Sequence, residues 1–238
     1  MKKNNLLFYT LSLLVAGSVT VVSCKKDTPP PAEEVAAPVV SKSFTEDFDD
    51  VSALGAKGWV LLNQSEPIGG RGWAQGKYTF GGKYGGDVVG FPAFSANNLP
   101  TDYASADVTC VNELGGISAW MISPVMTIKN GDKISFYTRS GGGVPDRMQV
   151  RANLNDITVN TGGGVEGVGN FTTLLLDINP TLSTAYPTTW TQYTITISGV
   201  TGEKTGRVAF RYYIPSNGGN SGANSDIIGV DSFSFESL

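Results

Sequence analysis

Apolar and polar residues alternate with a period of two along much of the sequence after residue 44. Met148, Val150 and Ala152 are apolar, for example, whereas Gln149 and Arg151 between them are polar. Such alternation predicts a β-strand with one face in the core and the other in water. No long helical period competes with it. The pattern predicts strands at 44–48, 58–62, 146–154, 171–179, 190–197, 207–214 and 226–235.

The segment 117–140 is predicted to form a central hairpin. An apolar run reaches Ile128, the polar sequence Lys129-Asn130-Gly131-Asp132 follows, and Phe136 and Tyr137 belong to the return strand. Asn-Gly between two apolar runs is a strong hairpin signal, because both residues tolerate a positive φ. A lone hairpin is marginally stable in water, so this one requires a sheet around it and a second sheet over its apolar face.

The composition agrees with a turn-rich all-β domain. The sequence has 30 Gly and 12 Pro, and only 16% of its residues are charged, as expected of a β-sandwich. Residues 44–238, about 195 in number, suffice for one domain. The formal net charge of −4 argues against nucleic acid as a partner, since such binding requires clustered Lys and Arg.

The sequence contains no histidine, and this excludes several classes of chemistry. Ser-His-Asp and Cys-His catalysis need an imidazole base, and many zinc and iron sites need a ring nitrogen as ligand. Two classes remain open on the residues alone. One is a carboxylate pair acting on a glycosidic bond, and the other is binding of a hard cation through oxygen ligands.

The first residues resemble an export signal. Lys2 and Lys3 precede the uncharged segment 6–22, which matches the charged and apolar regions of a signal peptide; a membrane-spanning anchor and an ordinary signal peptide are the alternatives. Val21-Val22-Ser23-Cys24 resembles the bacterial lipobox, which implies removal of residues 1–23 and lipid attachment to Cys24. Several acyl chains would hold the protein on a membrane.

Residues 24–43 are expected to form a disordered tether, because they are rich in Pro, Ala and charge and poor in aromatic residues. Lys25, Lys26 and Asp27 follow the lipid-bearing position, and this leaves open whether the protein faces the periplasm or the exterior. Cys110 has no cysteine left to pair with in the mature chain. It is expected to be a small buried side chain.

Four carboxylates lie within five positions of the opening strand, at Glu46, Asp47, Asp49 and Asp50. Like charges this close repel each other unless a positive group lies among them. A calcium ion would satisfy them, since Ca²⁺ takes six to eight oxygen ligands. A solvated strand end is the alternative.

Three side chains are candidates for ligand binding. Trp73, between Arg71 and Gln75, could expose its indole ring to stack on a sugar, although an indole in the core is the alternative. Arg211 and Tyr213 lie on the face of strand 207–214 opposite Val208, Phe210 and Tyr212. They could contribute to a binding surface, and a solvated outer face is the alternative.

Six short motifs follow one another along the chain: Glu46-Asp47-Phe48-Asp49, Gly58-Trp59, Trp73, residues 117–124, Trp190-Thr-Gln-Tyr-Thr-Ile195 and Ile228-Gly-Val-Asp-Ser-Phe233. In this order they resemble the choice-of-anchor J, or cleaved-adhesin-like, domains of exported Bacteroidetes proteins. The resemblance implies an antiparallel two-sheet β-sandwich of jelly-roll type. It also implies structural calcium, held by Asp231 with Glu46, Asp47 and Asp49, and adhesion or ligand binding outside the cell.

We therefore expect a signal peptide (1–23), a lipidated tether (24–43) and a jelly-roll domain (44–238). The expected function is that of an outer-membrane lipoprotein of the cell envelope that binds a glycan or a protein and is not an enzyme. A carboxylate-based glycoside hydrolase and a structural subunit of an envelope complex are the alternatives.

Overall fold

A computed structural model describes residues 42–78, 90–94 and 99–238. The predicted signal peptide, Cys24 and nearly all of the predicted tether lie outside these residues. The described chain is almost entirely β-structure, with two 3₁₀ helices at Val51–Lys57 and Val108–Cys110. In this part of the chain, none of the helices has the length and apolar character needed to cross a membrane.

Within the described residues, thirteen strands form two antiparallel sheets. The strands are β1 (Phe44–Glu46), β2 (Val60–Asn63), β3 (Glu66–Ile68), β4 (Ala74–Gln75), β5 (Ala104–Asp107), β6 (Val111–Ile122), β7 (Met126–Ile128), β8 (Lys133–Ser140), β9 (Met148–Asn153), β10 (Thr173–Ile178), β11 (Thr191–Thr196), β12 (Lys204–Gly218) and β13 (Ile227–Glu236). One sheet has the order β11-β8-β13-β5-β4, with β1 also on β13. The other has the order β10-β9-β12-β6-β2, with β3 on β6 and β7 on β12.

The predicted two-sheet β-sandwich of jelly-roll type is confirmed, but the prediction that residues 117–140 form a central hairpin is wrong. β7 pairs with β12 in the seven-stranded sheet, whereas β8 pairs with β11 and β13 in the six-stranded sheet. The Asn130-Gly131 turn is present, with φ of 93° at Gly131. It carries the chain from one sheet to the other, because a turn signal specifies a reversal of the chain and not the partner of the next strand.

Aromatic rings join the two sheets in the core. Phe210 of β12 packs against Phe233 of β13 with ring centroids 5.9 Å apart. Trp59 lies edge-on to Phe48 and to Phe233, at 5.4 Å from each, and Phe44 of β1 lies 5.4 Å from Phe233. Edge-to-face contacts of this kind add to the free energy gained from apolar burial. The opening and closing strands therefore meet at one aromatic cluster.

Each sheet also carries an apolar cluster on its outer face, where the alternating pattern alone predicts a solvated surface. On the seven-stranded sheet the buried members are Trp120, Ile122, Phe171 and Ala209. On the six-stranded sheet they are Phe91, Ala93, Tyr103, Val108 and Ile227, with Trp190 packed against them. Loop residues supply part of both clusters, and these loops determine which outer side chains are available to a ligand.

Cys110 is a free, fully buried cysteine, as expected. Burial raises the pKa of its thiol to about 12, so the thiol stays protonated and unreactive at neutral pH. The stability of the described domain therefore depends on packing and hydrogen bonds rather than on a covalent link through this residue.

Candidate functional site

Trp73 is buried, with only 4% of its surface exposed, so its indole ring is not available to stack on a sugar. Its indole N–H donates a hydrogen bond of 3.0 Å to the carbonyl oxygen of Ala119. A buried indole normally finds such a partner, which fixes the ring. One side of Trp73 lines a pocket of about 340 Å³ at the edge of the sandwich, beside Asp50, Leu61 and Gln75.

Arg211 and Tyr213 lie next to each other on the outer face of the seven-stranded sheet, but both are buried, at 1% and 7% exposure. The Arg211 guanidinium lies 4.0 Å from the Tyr213 ring centre and 4.8 Å from that of Trp120. It donates to Ser118 Oγ and to the carbonyl oxygen of Val165. Their predicted accessibility is therefore wrong, because residues 155–172 lie over this face.

Tyr213 is held by charged neighbours. Its hydroxyl donates a 2.5 Å hydrogen bond to Glu166, and the Arg147 guanidinium lies 4.8 Å from its ring centre. Burial and the hydrogen bond to Glu166 raise the pKa of Tyr213 to about 12. Burial lowers the pKa of Arg211 to about 10, so both groups keep their ordinary charge at neutral pH.

The four acids proposed to hold calcium do not form one ligand set. Glu46 pairs with Lys57 at 2.9 Å and accepts the Phe48 N–H. Asp47 is half-buried and Asp49 is exposed. Within residues 42–78, 90–94 and 99–238, no group of three or more His, Cys, Asp or Glu side chains could hold a metal ion. Calcium binding stays a prediction, without a fitting site among the described residues.

Asp231 has a different role in the structure. It is fully buried in β13, opposite Tyr137 of β8. Its carboxylate accepts the N–H of Phe94 at 2.8 Å and the N–H of Ser232 at 2.6 Å. A carboxylate that accepts backbone N–H groups can remain charged inside an apolar strand. Asp231 therefore fixes the backbone position of Phe94.

The rings of Phe94, Tyr137 and Trp190 form a surface on the six-stranded sheet that we call the aromatic platform. Phe94 stacks on Tyr137 with ring centroids 3.6 Å apart and an interplanar angle of 16°. Trp190 lies 6.5 Å from Phe94 at 64°. Phe94 is 42% exposed, although large apolar side chains usually lose most of their contact with water on folding. The exposed ring is therefore the feature of this face that requires an explanation.

Hydrogen bonds and ring contacts fix the residues beneath the aromatic platform. The Trp190 indole N–H donates to the carbonyl oxygen of Pro92 at 2.8 Å. Phe91 stacks on Tyr103 at 5.0 Å. A Cβ on Gly229 would come within 2.9 Å of Phe91, Trp190 and Tyr103, so glycine is required where the rings cross β13. Segment 91–94 is thus held by Asp231 on one side and by Trp190 on the other.

Polar side chains border the aromatic platform. Gln192 of β11 pairs in register with Tyr137, and Thr194 pairs with Ser135, so these side chains share the outer face with the platform. Gln192 and Thr194 are exposed. Arg139 lies further along β8, with its guanidinium 4.4 Å from the Phe91 ring centre. The face offers a flat exposed ring and hydrogen-bonding groups beside it.

Comparison with known proteins gives a fold and not a family. No family model matches the sequence, and no curated protein matches it. The structure is similar to the K1 cleaved adhesin domain of Lys-gingipain from Porphyromonas gingivalis W83. The TM-score is 0.50 at 16% identity, covering 83% of this chain and 99% of that chain. The fold is therefore like that of a cleaved adhesin domain.

Two other solved structures are less similar. The K3 cleaved adhesin domain of Lys-gingipain from the same organism gives a TM-score of 0.49 at 15% identity, covering 82% of this chain and 98% of that chain. TmCBM61, solved in complex with β-1,4-galactotriose, gives 0.37 at 10% identity, covering 81% and 99%. Likenesses this remote carry no argument about what this chain binds.

The sequence did contain a signal for part of the aromatic platform. The period of two in β8 places Ile134 and Phe136 in the core and Tyr137 on the opposite face, so Tyr137 could have been identified as an outer residue. Phe94 gives no such signal, because it lies in an irregular segment 43 positions before Tyr137. Its position depends on the hydrogen bond to Asp231.

Proposed function

We propose that this protein is a non-catalytic glycan-binding protein of the cell envelope that holds its ligand on the aromatic platform. The exposed face of Phe94, stacked on Tyr137, carries this proposal. The C–H groups on one face of a sugar ring pack against an aromatic ring, while the hydroxyl groups at its edge need hydrogen-bond partners. Gln192 and Thr194 are exposed on the same face and supply such partners.

The surroundings of Phe94 favour a glycan over a protein ligand. A protein interface of standard size has an extended, fully desolvated centre with several large side chains. Around Tyr137, the neighbouring side chains on the outer face of β8 and β11 are all polar or charged: Ser135, Arg139, Gln192 and Thr194. A single exposed ring with a polar border suits one sugar unit better than a broad apolar partner.

The likeness to the K1 domain supports the proposal in a general way. That domain is named as an adhesin domain, and binding a ligand outside the cell is consistent with this name. We further propose that the chain is exported and lipid-anchored in the outer membrane through Cys24, as the choice-of-anchor J resemblance and the lipobox-like sequence imply. The predicted tether, residues 24–43, would then separate the domain from the bilayer.

Replacing Cys24 with Ser is expected to release the protein from membranes, because the lipid needs a thiol for its attachment. The measurement is the fraction of protein that sediments with membranes after expression of the full chain in a bacterial host that makes lipoproteins. The domain itself should melt at an unchanged temperature. A Cys24→Ser protein that still sediments with membranes would exclude the lipid as the anchor.

Replacing Phe94 with Ala is expected to weaken glycan binding about tenfold, because losing a stacked ring costs about 1.4 kcal/mol or more of binding free energy. The measurement is a glycan array followed by calorimetric titration of the best ligand. The melting temperature should change little, since Phe94 is 42% exposed.

The matched control is Leu114→Ala, which removes an apolar side chain that is 51% exposed on β6 of the other sheet. It should bind as the unchanged protein does. Equal affinities for Phe94→Ala and the unchanged protein would refute the platform as the binding site, and an array without any glycan ligand would refute the glycan as the ligand.

A further inference from the structure

Three arginines lie close together on the outer face of the seven-stranded sheet, on the opposite side of the sandwich from the aromatic platform. Arg147 precedes β9, Arg151 lies within it, and Arg211 lies on the adjacent β12. We call them the arginine cluster. Arg211 is buried, whereas Arg147 and Arg151 are half-buried and in contact with water. The cluster concentrates positive charge on one part of a protein whose net charge is −4.

The acids near the arginine cluster do not neutralise it. Asp177 binds Arg147 through both of its oxygens, at 2.9 and 2.6 Å. Glu166 accepts the hydroxyl of Tyr213. Among the described residues, neither Arg151 nor Arg211 has a carboxylate within 4.0 Å. Of the carboxylates named here, only Asp177 forms an ion pair with a member of the cluster, and that member is Arg147.

Arg151 and Arg211 share a single neutral acceptor. The side-chain oxygen of Gln149 accepts Nε of Arg151 at 2.8 Å and Nη1 of Arg211 at 3.2 Å. The amide nitrogen of Gln149 donates to Asp177 at 2.9 Å, which fixes the orientation of the amide. Both guanidinium groups thus donate to the same oxygen atom, and the positive charge of Arg151 lowers the pKa of Arg211.

Arg207 shows that this fold can bury an arginine without a second guanidinium group beside it. Arg207 also has no carboxylate within 4.0 Å among the described residues. It donates to the carbonyl oxygens of Ile157, Gly58 and Ser123. Burial alone lowers its pKa. The pKa of Arg211 is lowered mainly by burial; Tyr213 and Glu166 raise it, whereas the charges of Arg151 and Arg147 lower it further.

We propose that Arg151, supported by Arg211, forms a binding site for an oxyanion, either a carboxylate or a sulfate group. The flat guanidinium of Arg151 can present two parallel N–H donors to such a group. Its Nη1 also donates to the carbonyl oxygen of Phe171 at 3.2 Å, which holds the fork against the sheet. The incoming anion would give Arg151 the ion pair that it lacks among the described residues, and it would reduce the repulsion between the two guanidinium groups.

The site is independent of the aromatic platform because the two lie on different sheets. Loss of one therefore does not imply loss of the other. A ligand that carries both sugar rings and acidic groups could bind at each, but the oxyanion site is testable with small anions alone.

The test is titration of the full-length protein with glucuronate and with sulfate, at constant ionic strength kept with chloride. The measurement is the NMR shift of the assigned Arg151 and Arg211 side-chain signals, and Arg139 beside the aromatic platform serves as the reference. Glucose serves as the uncharged counterpart of glucuronate. We expect saturable shifts with at least one of the two anions, no shift with glucose, and affinity reduced about tenfold or more in Arg151→Gln. Saturation by glucuronate alone or by sulfate alone identifies the preferred group and supports the site.

Two variants keep the outcome clear. Lys204→Gln removes one positive charge from an exposed position at the start of β12 and should bind the anion as the unchanged protein does. Arg151→Lys is the variant to use if Arg151→Gln fails to fold. It retains the charge without the planar fork and should bind the anion more weakly than the unchanged protein does. The proposal is overturned if neither anion saturates, or if Arg151→Gln or Arg151→Lys binds the anion with unchanged affinity.

Discussion

Replacing Trp59 with Ala is expected to lower the free energy of unfolding by about 3–5 kcal/mol, as is typical of a large aromatic side chain removed from a core. Trp59 is 3% exposed. Its ring is edge-on to Phe48 and Phe233 and lies 6.4 Å from Phe44. Losing it leaves a cavity where β1 and β13 meet the first 3₁₀ helix, and rigid neighbours cannot fill that cavity. Urea denaturation measures the change.

Trp59→Phe is the matched variant, because it retains a ring in contact with Phe48 and Phe233 and leaves a smaller cavity. It should lose clearly less stability than Trp59→Ala. If Trp59→Ala loses less than about 1 kcal/mol, the aromatic cluster at the meeting of β1 and β13 is not a major source of stability.

Stability is expected to fall as the pH rises from about 4 to about 7, because of Asp146. This carboxyl is fully buried. One oxygen accepts the Tyr212 hydroxyl at 2.6 Å and the Asp226 N–H at 2.9 Å, while the other has no hydrogen-bond partner among the described residues. Burial, aided by the charge of Asp226, raises the pKa of Asp146 to about 7.

The sign of the effect follows from where the proton is held. Below about pH 4 the carboxyl is protonated in both the folded and the unfolded chain, so it has no net effect. Between about pH 4 and 7 the folded protein retains a proton that the unfolded chain has released, and each pH unit costs up to about 1.4 kcal/mol of stability. Above about pH 7 both states are ionised and the loss stays constant.

Asp146→Asn should remove most of this pH dependence, because the amide keeps an oxygen for Tyr212 and Asp226 and has no charge. The measurement is urea denaturation of both proteins at about pH 4.5 and about pH 8. The difference between their pH dependences reports Asp146 together with its electrostatic coupling to Asp226. Asp156, whose pKa is lowered to about 2 by hydrogen bonds from Thr158 and Asn153, titrates below this interval. An equal pH dependence in both proteins would contradict the prediction.

Strand positions follow from the sequence because alternation is a local property. The pattern predicts a strand at 146–154, and β9 occupies Met148–Asn153 with Met148, Val150 and Ala152 in the core. The pairing of strands is not local. The Asn130-Gly131 turn occurs where it was predicted, yet β7 and β8 belong to different sheets, because partners are selected by packing among residues far apart in the chain.

The candidate sites were harder to predict because exposure depends on loops. Arg211 and Tyr213 do lie on the outer face of β12, as alternation requires, but residues 155–172 cover them. Asp231 is an unusual residue for an apolar strand, and sequence reasoning identified it as needing a partner. It could not name that partner, since the Phe94 N–H lies 137 positions away. The four carboxylates within residues 46–50 indicated calcium, whereas Glu46 forms an ion pair with Lys57.

The three-residue strand β1 has a mechanical consequence. The chain enters the described domain through β1, which pairs antiparallel with β13 from Phe44 opposite Phe235 to Glu46 opposite Phe233. A pulling force applied from the amino-terminal side therefore loads this short ladder before any other strand. The ring of Phe44 packs against Trp59, Phe233 and Phe235. These contacts must break before β1 can separate from β13. We therefore expect release of Phe44 from this cluster to be the first step when the domain unfolds under tension.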